Sequence, residues 1–449
     1  SAPDVEDTGT YRILRYVRPR FVSRRLLAEF AAAAAQGLAA CPALLVLVLA
    51  LPLLLAAALC ETAIRLLGLL GRRVLSCMPW HSMRAWRLLR QASASFRSRG
   101  PAVGPGAAAA RPGWTQRWRM LAAAMRHVLV TTDVFWRAGV GDSLDTAVIY
   151  CNDLDTALAG LLLRRAFPGS VIIYDSHEYW PYGNVEALRL QVRIFRAFDR
   201  FFMRRADHVL TVSDPLAREM ERAYGVSSIH VVPNAEPWIE RPWREAQPGE
   251  IDRLAAGRVR FLFQGNFAPQ RGLEEILEAW AAVDQGKAAL FLRGPRSPWR
   301  DALQRRAEAL GLLGRSVFVL PPVSVDDLVH GAGEADVGII PYRGDLPAYR
   351  FACPNKLSQY LHAGLAILGN NIPYVAQQIA AGRCGLVYDV ADPASIVDAV
   401  DSLARDRDVL RQYQRNALGY GRTVFNWQVQ SAPLRAILEE ISLGRETGR

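Results

Sequence analysis

Residues 336–371 (DVGIIPYRGDLPAYRFACPNKLSQYLHAGLAILGNN) restrict the possible folds more than any other stretch of this chain. The run 337–340 is wholly apolar and has the length of a strand buried on both faces of a parallel sheet. After a polar loop, Pro354 can open a helix, which we expect to run from Asn355 to about residue 363. Gly364 is suited to end that helix, and 365–368 is apolar again. This order of strand, loop, helix and strand predicts an α/β protein.

Similar units recur along most of the chain, in one series from residue 146 and another from residue 258. Because 449 residues exceed one typical core, we expect two domains. The proline-containing stretch 236–257 is the predicted linker between them. The predicted divisions are an N-terminal domain over 1–235, a C-terminal domain over 258–425, and a last helical segment over 426–449 that returns to the first domain. If residues 11–17 form a strand, it would be the first strand of the first domain.

The positive charge of the chain lies in its N-terminal third. The formal net charge is +11, and nearly all of the basic residues are arginine, since Lys287 and Lys356 are the only lysines. Residues 1–130 hold 18 arginines and 5 acidic residues, a difference of +13. Arginine binds phosphate and lipid headgroups well because its planar guanidinium presents several donors together. This region is therefore the part of the chain suited to an anionic surface.

A long uncharged stretch interrupts this basic region. Residues 30–60 carry no charge, and 43–59 are apolar throughout, so a helix here would be about 45 Å long and could cross a bilayer core of about 30 Å. We predict a membrane-embedded segment over 30–77. Arginines on both sides favour a re-entrant hairpin with both ends in the cytoplasm over a single span, although a single span and a very apolar core helix remain alternatives.

Other features of the N-terminal third agree with a membrane interface. Residues 91–112 are rich in Ser, Gly, Pro and Ala and indicate a flexible linker. Tryptophans interleave with arginines on either side of it, a combination typical of headgroup depth. Nucleic acid is the rival partner for a basic region, but we exclude it because it gives the apolar run no role. The six cysteines show no zinc spacing and favour a reduced, cytosolic chain, and we expect no metal.

Polar residues follow the predicted strands of the first series. Asp153 and Asp155 follow the strand of 147–152, and His177 and Glu178 follow the strand that begins at residue 171. The carboxyl ends of parallel strands meet at one edge of the sheet, which is where ligands bind in such folds. His177 is the sharpest single candidate, because an imidazole there can donate to a phosphate or a sugar hydroxyl. A structural histidine paired with Asp175 is the alternative.

The second series offers two cations to an anion. The turn FQGNFAPQRGLEEIL places Gly265 at a strand end and Arg271 just before a helix, so a phosphate there could meet both N–H groups and a guanidinium. Lys356 adds a second positive charge at the start of the helix that follows Pro354. Together these residues predict a site for a diphosphate.

The motifs in sequence order resemble those of glycosyltransferase family 4, whose members have two facing Rossmann-like domains, the GT-B fold. The resemblance covers residues 146–440 and rests on six motifs: CNDLDT, YDSHEYW, TVSDPLA, VVPNAEP, FQGNFAPQRGLEEIL and PNKLSQYLHAGLAIL. It implies a retaining transferase whose donor is a nucleoside-diphosphate sugar and which needs no cofactor or metal.

The resemblance also assigns roles to individual residues. It gives His177 and Arg271 the catalytic roles, the first toward the sugar and the second toward the diphosphate. Asp153, Asp155 and Glu178 become candidates on the acceptor side. The expected donor-binding residues are Gly265, Asn266, Arg271, Gly294, Pro322, Asn355, Lys356 and Gln359.

This chain departs from the family at four positions. Asn266 and Arg271 stand where the family has Arg and Lys, so one cation is lost and the other is exchanged. Phe351 and Gln359 stand where the family has two glutamates, one near the sugar and one on the ribose hydroxyls. Gln359 can still bond a ribose hydroxyl, but Phe351 cannot replace a carboxylate. Asp345 and the backbone near Cys353 are the possible substitutes.

The sequence therefore predicts a membrane-associated glycosyltransferase that acts on a lipid-linked or glycolipid acceptor at the cytoplasmic face of a bacterial inner membrane. Two alternatives follow from the same residues. The first is a non-catalytic membrane scaffold that binds a nucleotide, which the missing glutamates favour. The second is a sugar-nucleotide epimerase or hydrolase, for which the membrane segment would be superfluous.

Overall fold

The computed structural model describes residues 5–7, 12–14, 148–182, 189–240, 249–269 and 271–446. The chain divides into two compact units, one of residues 1–144 with 186–201 and the other of residues 145–185 with 202–449. The predicted membrane segment 30–77 and linker 91–112 lie outside the described residues. Within the described ranges, no helix combines the length and the apolar character that a membrane crossing requires.

The first unit contributes two short strands and most of one helix to the described part of the chain. Strands β1 (Val5–Asp7) and β2 (Arg12–Leu14) pair antiparallel, with Val5 opposite Leu14. Within residues 11–17, for which the sequence allows a first strand of the first domain, Arg12–Leu14 is a strand, and it pairs with β1 and not with the parallel strands described below. Only four residues separate the two strands, and a connection that short permits antiparallel pairing but not a parallel crossover. Helix α2 (Arg189–Met203) buries phenylalanines on one side.

Four parallel strands form the first sheet in the order β3-β4-β5-β6. Its strands are β3 (Val148–Asn152), β4 (Val171–Ser176), β5 (His208–Thr211) and β6 (Ile229–Val231), with helices α1 (Leu154–Ala166) and α3 (Asp214–Tyr224) in the connections. Helix α3 has well-matched ends: the Ser213 hydroxyl accepts from the N–H of Leu216, and Gly225 adopts the left-handed conformation (φ 60°).

Six parallel strands form the second sheet in the order β12-β11-β10-β7-β8-β9. Its strands are β7 (Val259–Gln264), β8 (Ala288–Arg293), β9 (Val317–Leu320), β10 (Val337–Ile340), β11 (Ala366–Asn370) and β12 (Gly385–Tyr388). The predicted α/β class with parallel sheets is confirmed. Strand order reverses between β7 and β10, and such a switch point is where open sheets of this type bind ligands.

The helices of the second sheet follow the predicted βα rhythm, with additions. They are α4 (Glu250–Ala255), α5 (Leu273–Ala279), α6 (Pro298–Ala309), α7 (Leu328–Ala332), α8 (Pro347–Arg350), α9 (Asn355–His362), α10 (Pro373–Gly382), α11 (Pro393–Arg405) and α12 (Arg407–Thr423). Helix α4 lies inside the predicted linker 236–257, because Ile251 and Ala255 bury their side chains.

The end of the chain returns to the first sheet. Helices α13 (Trp427–Gln430) and α14 (Ala432–Glu446) complete the described residues. Ile437 packs against Ile173, Leu210 and Val232 of the first sheet. This contact packs α14 against the first sheet.

The stretch 336–371 folds as strand, loop, helix and strand, as predicted. Helix α9 begins at Asn355 and ends at His362, and Gly364 follows with φ 71°. A four-residue helix, α8, divides the polar loop and is an addition to the prediction. Strand β10 approaches α9 so closely that a Cβ on Gly338 would lie 2.2 Å from the Tyr360 ring. Glycine at 338 is therefore what lets this helix pack on the sheet.

We predict that Gly338→Ala lowers the free energy of unfolding by about 1–3 kcal/mol, the usual cost of overpacking a core. The Tyr360 ring cannot simply move away, because its hydroxyl accepts a hydrogen bond from the N–H of Gln264 at 2.9 Å. Urea unfolding followed by tryptophan fluorescence would measure the change. Gly419→Ala is the matched control, since Gly419 is an exposed position of helix α12, a Cβ on it meets nothing within 4 Å, and alanine favours a helix. Equal unfolding midpoints for the two variants would contradict the packing argument.

Candidate donor site

Two glycines bring the ends of β7 and β8 together at the switch-point edge. Gly265 follows β7 with φ 140°, a conformation that side chains rarely permit. A Cβ on Gly294, which follows β8, would lie 2.1 Å from the carbonyl oxygen of Gly265. Both predicted donor-binding glycines thus allow close backbone approach at this edge. Space remains beside Gly265, where a Cβ would meet only the end of the Lys356 side chain at 3.8 Å.

Lys356 is a buried cation in the second residue of α9. Its Nζ donates to the hydroxyl of Tyr342 at 3.0 Å and lies over the rings of Phe263 (5.2 Å) and Tyr342 (4.8 Å). In the described part of the chain it pairs with no carboxylate. The ammonium donates one hydrogen bond to a phenol and otherwise contacts two ring faces. It therefore retains N–H donors for a further acceptor.

Arg271 lies beside the same tyrosine. Its guanidinium donates to the carbonyl of Asn266 at 3.0 Å and lies over the rings of Tyr342 (5.3 Å) and Tyr349 (5.9 Å). Its Nε is buried without a hydrogen-bond partner, and it forms no ion pair within the described ranges. The Asn266 side chain is exposed, so the structure gives this residue a backbone role. Arg271 and Lys356 are therefore two neighbouring cations that share Tyr342 and lack a counter-ion.

Three other arginines of the second sheet and its loops are neutralised. Arg260 pairs with Asp336 at 2.7 Å, Arg293 with Glu334 at 2.6 Å, and Arg343 with both Glu275 (2.7 Å) and Asp345 (2.8 Å). These pairs identify structural arginines. Asp345 is the side chain considered above as a substitute for the missing glutamate near the sugar. It is engaged by Arg343, whose hydrogen bond holds the pKa of this carboxyl below its usual range.

The two unpaired cations dominate the local field. Burial alone would raise the pKa of Tyr342, because a phenolate is costly to bury. The positive charges of Lys356 and Arg271 outweigh burial and lower the pKa of Tyr342 below its ordinary value. The lowered pKa of this buried phenol indicates that the charges at this edge of the sheet stabilise a negative group.

On the first sheet, Asp153 organises the loop that carries His177. Asp153 has a left-handed backbone (φ 63°), which is costly for a residue with a side chain. Its carboxylate accepts from the N–H of His177 at 2.8 Å and from the indole N–H of Trp180 at 3.0 Å. Burial raises the pKa of Asp153, while these two hydrogen bonds oppose the rise. The structure therefore gives this predicted acceptor-side residue a supporting role.

His177 has a partner on each ring nitrogen. Nε2 lies 3.0 Å from Asp175 Oδ2, and Nδ1 lies 3.1 Å from Asn234 Oδ1. Burial disfavours the charged ring, but the hydrogen bond and negative charge of Asp175, with the charge of Asp153, outweigh it and raise the pKa of His177. The pairing with Asp175 matches the structural alternative of the sequence analysis, and the imidazole can reach a sugar only by exchanging a partner.

The remaining acceptor-side candidates differ in their surroundings. Glu178 is exposed and lies within the electrostatic reach of Asp153, His177 and Arg271. Desolvation and the charge of Asp153 raise the pKa of Glu178, and the two cations oppose the rise. Asp155 lies in the first turn of α1, at the same edge of the first sheet. Glu178 thus interacts electrostatically with Arg271, one of the two cations beside Tyr342.

The residues at the two glutamate positions of the family make packing and polar contacts instead. The ring of Phe351 packs edge-on against Tyr179 at 5.9 Å, and its carbonyl accepts from the Ser213 hydroxyl at 2.7 Å. The amide of Gln359 donates to Glu236 at 3.2 Å. The Cys353 carbonyl, another proposed substitute, accepts from Asn234 at 3.0 Å. Neither proposed substitute supplies a free group.

The last two predicted donor-binding residues are exposed and differ in their distance from Arg271, Lys356 and Tyr342. Asn355 is exposed as the first residue of α9, one position before Lys356. Pro322 is exposed after β9, which lies at the edge of the sheet two strands away from β7. The sequence motifs assign no site role to three further residues of this region, which are Tyr342, Asn234 and Glu236. Tyr342 had a recognisable signal, since it lies two residues after the strand β10 that borders the switch point.

Family models match both halves of the chain. Residues 140–235 match the model described as Glycosyltransferase Family 4, and residues 258–406 match the model described as Glycosyl transferases group 1. The two matched ranges contain the first and the second sheet respectively and together cover more than half of the chain. The chain is therefore a glycosyltransferase-like protein that is similar to family 4.

Two curated relatives share this similarity. The chain is 25% identical over 264 residues to the putative teichuronic acid biosynthesis glycosyltransferase TuaH of Bacillus subtilis (strain 168), covering 54% of this chain and 62% of the relative. It is 27% identical over 233 residues to D-inositol 3-phosphate glycosyltransferase of Nocardia farcinica, covering 49% and 50%. The matches span between half and two thirds of the length of these relatives.

Solved structures share the fold. The Anabaena protein Alr3699/HepE in complex with UDP and glucose superposes with a TM-score of 0.55 at 14% identity, over 69% of this chain and 81% of that one. The likeness covers most of the described residues, which supports the expected GT-B class for the two parallel sheets. At this identity it shows the fold alone.

We predict that Lys356→Met stabilises the ligand-free protein by about 1 kcal/mol or more, since it removes a buried charge that no described carboxylate neutralises. Thermal unfolding would measure this change. Pyrophosphate should raise the melting temperature of the wild type and raise that of the variant less.

Lys287→Met is the matched control for this experiment, because it removes the other lysine of the chain, which is exposed and pairs with Asp284. This control should keep the full response to pyrophosphate. A Lys356→Met protein that is less stable than the wild type yet responds fully to pyrophosphate would show that the lysine is a structural cation.

Proposed function

We propose that this protein is a retaining glycosyltransferase that moves a sugar from a nucleoside diphosphate to a lipid-linked or glycolipid acceptor at the cytoplasmic face of a bacterial membrane. The observation that carries the proposal is the pair Arg271 and Lys356, two cations without a described counter-ion at the switch point of a parallel sheet. A diphosphate would supply the missing negative charge.

The reaction asks this site to neutralise a leaving group. As the bond between the anomeric carbon and the phosphate oxygen breaks, negative charge grows on the diphosphate. Arg271 and Lys356 are already held in position by Asn266 and Tyr342, so little reorganisation is needed to stabilise that charge. In a reaction with retention, the acceptor hydroxyl attacks from the face that the diphosphate leaves, and the departing phosphate oxygen takes the hydroxyl proton.

His177 enters this proposal as a cation near the sugar. Both of its ring nitrogens have acceptors, so it is a poor general base but a suitable source of positive charge. Glu178 lies within the electrostatic reach of Arg271, and we assign it to the acceptor side. No metal is required by this arrangement, because the protein itself provides the cations.

The membrane part of the proposal rests on the sequence. Residues 1–130 carry a charge difference of +13 and include an uncharged run of 31 residues. Together they suit anionic headgroups and an apolar bilayer core. A lipid-linked or glycolipid acceptor would share that location, and a re-entrant segment would keep both sheets on the cytoplasmic side.

A nucleotide-binding scaffold is the second candidate, and Phe351 and Gln359 favour it. Phe351 fills its position with an aromatic ring, and Gln359 bonds Glu236. A scaffold would bind a nucleoside diphosphate through the same cations and release no sugar. An epimerase or hydrolase would act on the donor without any lipid.

We predict that Arg271→Ala lowers kcat/KM for sugar transfer by about 30- to 1,000-fold, which corresponds to about 2–4 kcal/mol for one preorganised contact to developing charge. The assay uses a panel of nucleoside-diphosphate sugars labelled in the sugar, with a membrane lipid extract as acceptor. Label moving into the organic phase measures transfer. Arg411→Ala is the control, since Arg411 is exposed and pairs with Asp408 on helix α12.

The same assay separates the candidate functions. Free labelled sugar without lipid indicates a hydrolase, an isomerised donor indicates an epimerase, and calorimetric binding of a nucleoside diphosphate with the donor left intact indicates a scaffold. An unchanged kcat/KM in Arg271→Ala would refute the role of this residue.

A further inference from the structure

A chain of hydrogen bonds connects the first sheet to the helix that carries Lys356. On one side of His177, Asp175 Oδ2 accepts both from the imidazole and from the Tyr150 hydroxyl. On the other side, the imidazole contacts Asn234, whose side-chain nitrogen donates to the carbonyl of Cys353 at 3.0 Å. Every contact in this series is within hydrogen-bond range. The donor and the acceptor of each hydrogen bond, from Tyr150 to the Cys353 carbonyl, can therefore be assigned.

The bond to Cys353 fixes the orientation of the Asn234 amide. A backbone carbonyl only accepts, so the Asn234 nitrogen must face Cys353 and its oxygen must face His177. His177 Nδ1 must then carry a hydrogen to donate to that oxygen. Nε2 faces a carboxylate oxygen, which also only accepts, so Nε2 must carry a hydrogen too. An imidazole with hydrogens on both nitrogens is the charged form.

A neutral His177 cannot keep all of these contacts. If Nδ1 loses its hydrogen, the Asn234 amide must turn to donate to it, and its oxygen then faces the Cys353 carbonyl. If Nε2 loses its hydrogen, two acceptors face each other at Asp175. Loss of the proton from Nε2 therefore breaks the bond to Asp175. Loss of the proton from Nδ1, which leaves the remaining hydrogen facing the carboxylate, breaks the bond to Asn234 or, if the amide turns, the bond from Asn234 to Cys353.

The Cys353 carbonyl lies directly before the donor-site helix. Pro354 caps the N-terminus of α9, and Lys356 is the second residue of that helix. Two further bonds hold the same segment to the first-sheet side, from the Ser213 hydroxyl to the Phe351 carbonyl at 2.7 Å and from the Glu236 N–H to the Ser358 hydroxyl at 2.7 Å. Of these three bonds, the one through Asn234 depends on a titratable group.

We propose that Asp175 and Asn234 are positioning residues that hold His177 as a doubly donating imidazolium, and that this charge fixes the start of α9 and thereby Lys356. We call these hydrogen bonds, from Tyr150 through Asp175, His177 and Asn234 to the Cys353 carbonyl, the network. The inference rests on the proposed function, because donor binding is the purpose that we assign to the network. The network itself can be tested without any donor.

The direction of the pH dependence follows from the groups that face His177. These are the carboxylates of Asp175 and Asp153 and the Tyr150 hydroxyl, with Glu178 next to it and the Asn234 amide opposite. Burial lowers the pKa of His177, but the hydrogen bond and charge of Asp175, the charge of Asp153 and the bond to Asn234 outweigh burial and raise it above its ordinary value of 6.5. The contribution of this group to stability is thus fully present below about pH 6.5 and is lost as pH rises through the higher folded-state pKa.

Histidine-selective NMR gives the first test. The ring ¹⁵N shifts of the ligand-free protein are followed from pH 5.5 to 9, and the His177 signal is assigned by its absence in His177→Gln. We expect both nitrogens to be protonated at neutral pH and to titrate above the usual range. Asp175→Asn should lower the pKa of His177 by about 1 unit or more, because it removes the negative partner. A His177 that is neutral at pH 7 would overturn the proposal.

The second test uses Asn234→Asp. The new carboxylate accepts from His177 and should raise its pKa, but it cannot donate to Cys353. Hydrogen exchange of residues 351–362, corrected for the intrinsic effect of pH, should therefore quicken in this variant at every pH. In the wild type it should quicken only as His177 deprotonates. Exchange that is insensitive to both the variant and pH would show that the network does not hold α9.

Donor kinetics supply the third test. KM for the donor should rise about tenfold in Asn234→Asp, the usual effect of losing one such bond, with a smaller change in kcat. The alkaline limb of kcat/KM should move to lower pH in Asp175→Asn and to higher pH in Asn234→Asp, a pair of opposite shifts that general damage would not produce. His208→Gln is the control, since His208 lies at the amino end of β5.

The outcomes distinguish failure of the proposed function from failure of the network. A protein that transfers no sugar but shows the charged His177 and the exchange effect would reject the proposed function and keep the network. Active variants with coincident pH limbs would reject the network and keep the function.

Discussion

The fold is organised around buried positive charge at the switch point of the second sheet. Lys356 is almost fully buried and has a tyrosine hydroxyl and two ring faces as its described contacts. Such a charge is costly in the absence of an anion, and the protein accepts that cost by packing α9 tightly onto β10, where Gly338 makes room for the Tyr360 ring. The packing energy of the sheet and helix thus maintains a site that is unfavourable until a ligand binds.

The arginines of this region show which charges are structural. Arg260, Arg293 and Arg343 each have a carboxylate within 2.6–2.8 Å, whereas Arg271 has a backbone carbonyl and two aromatic faces. Composition alone could not separate these residues, because all are arginines near strand ends. Except for Asp345, which is two residues from Arg343, their partners come from distant positions, such as Glu334 for Arg293, and distance in sequence conceals them.

The sequence predicted what depends on local pattern. Apolar runs bounded by polar residues identified the parallel strands, and Pro354 with Gly364 placed helix α9 correctly. The antiparallel pairing of Arg12–Leu14 and the helix Glu250–Ala255 were missed, since each depends on which neighbour the segment meets. The site divides in the same way. Arg271 and Lys356 could be selected because strand ends and helix starts are local features. Of the partners of His177, Asp175 is two residues away and was a named alternative, whereas Asn234 is 57 residues away and was not predicted.

The two lost glutamates change the charge balance of the site as well as its contacts. With Phe351 and Gln359 in their places, neither family position adds negative charge to the neighbourhood of Lys356 and Arg271. Gln359 instead bonds Glu236, which lies in the segment after the first sheet. An enzyme with the glutamates would partly neutralise its own cations before the donor arrives. This chain leaves that task to the diphosphate, so its donor site should depend on the ligand charge more strongly than on contacts to the sugar hydroxyls.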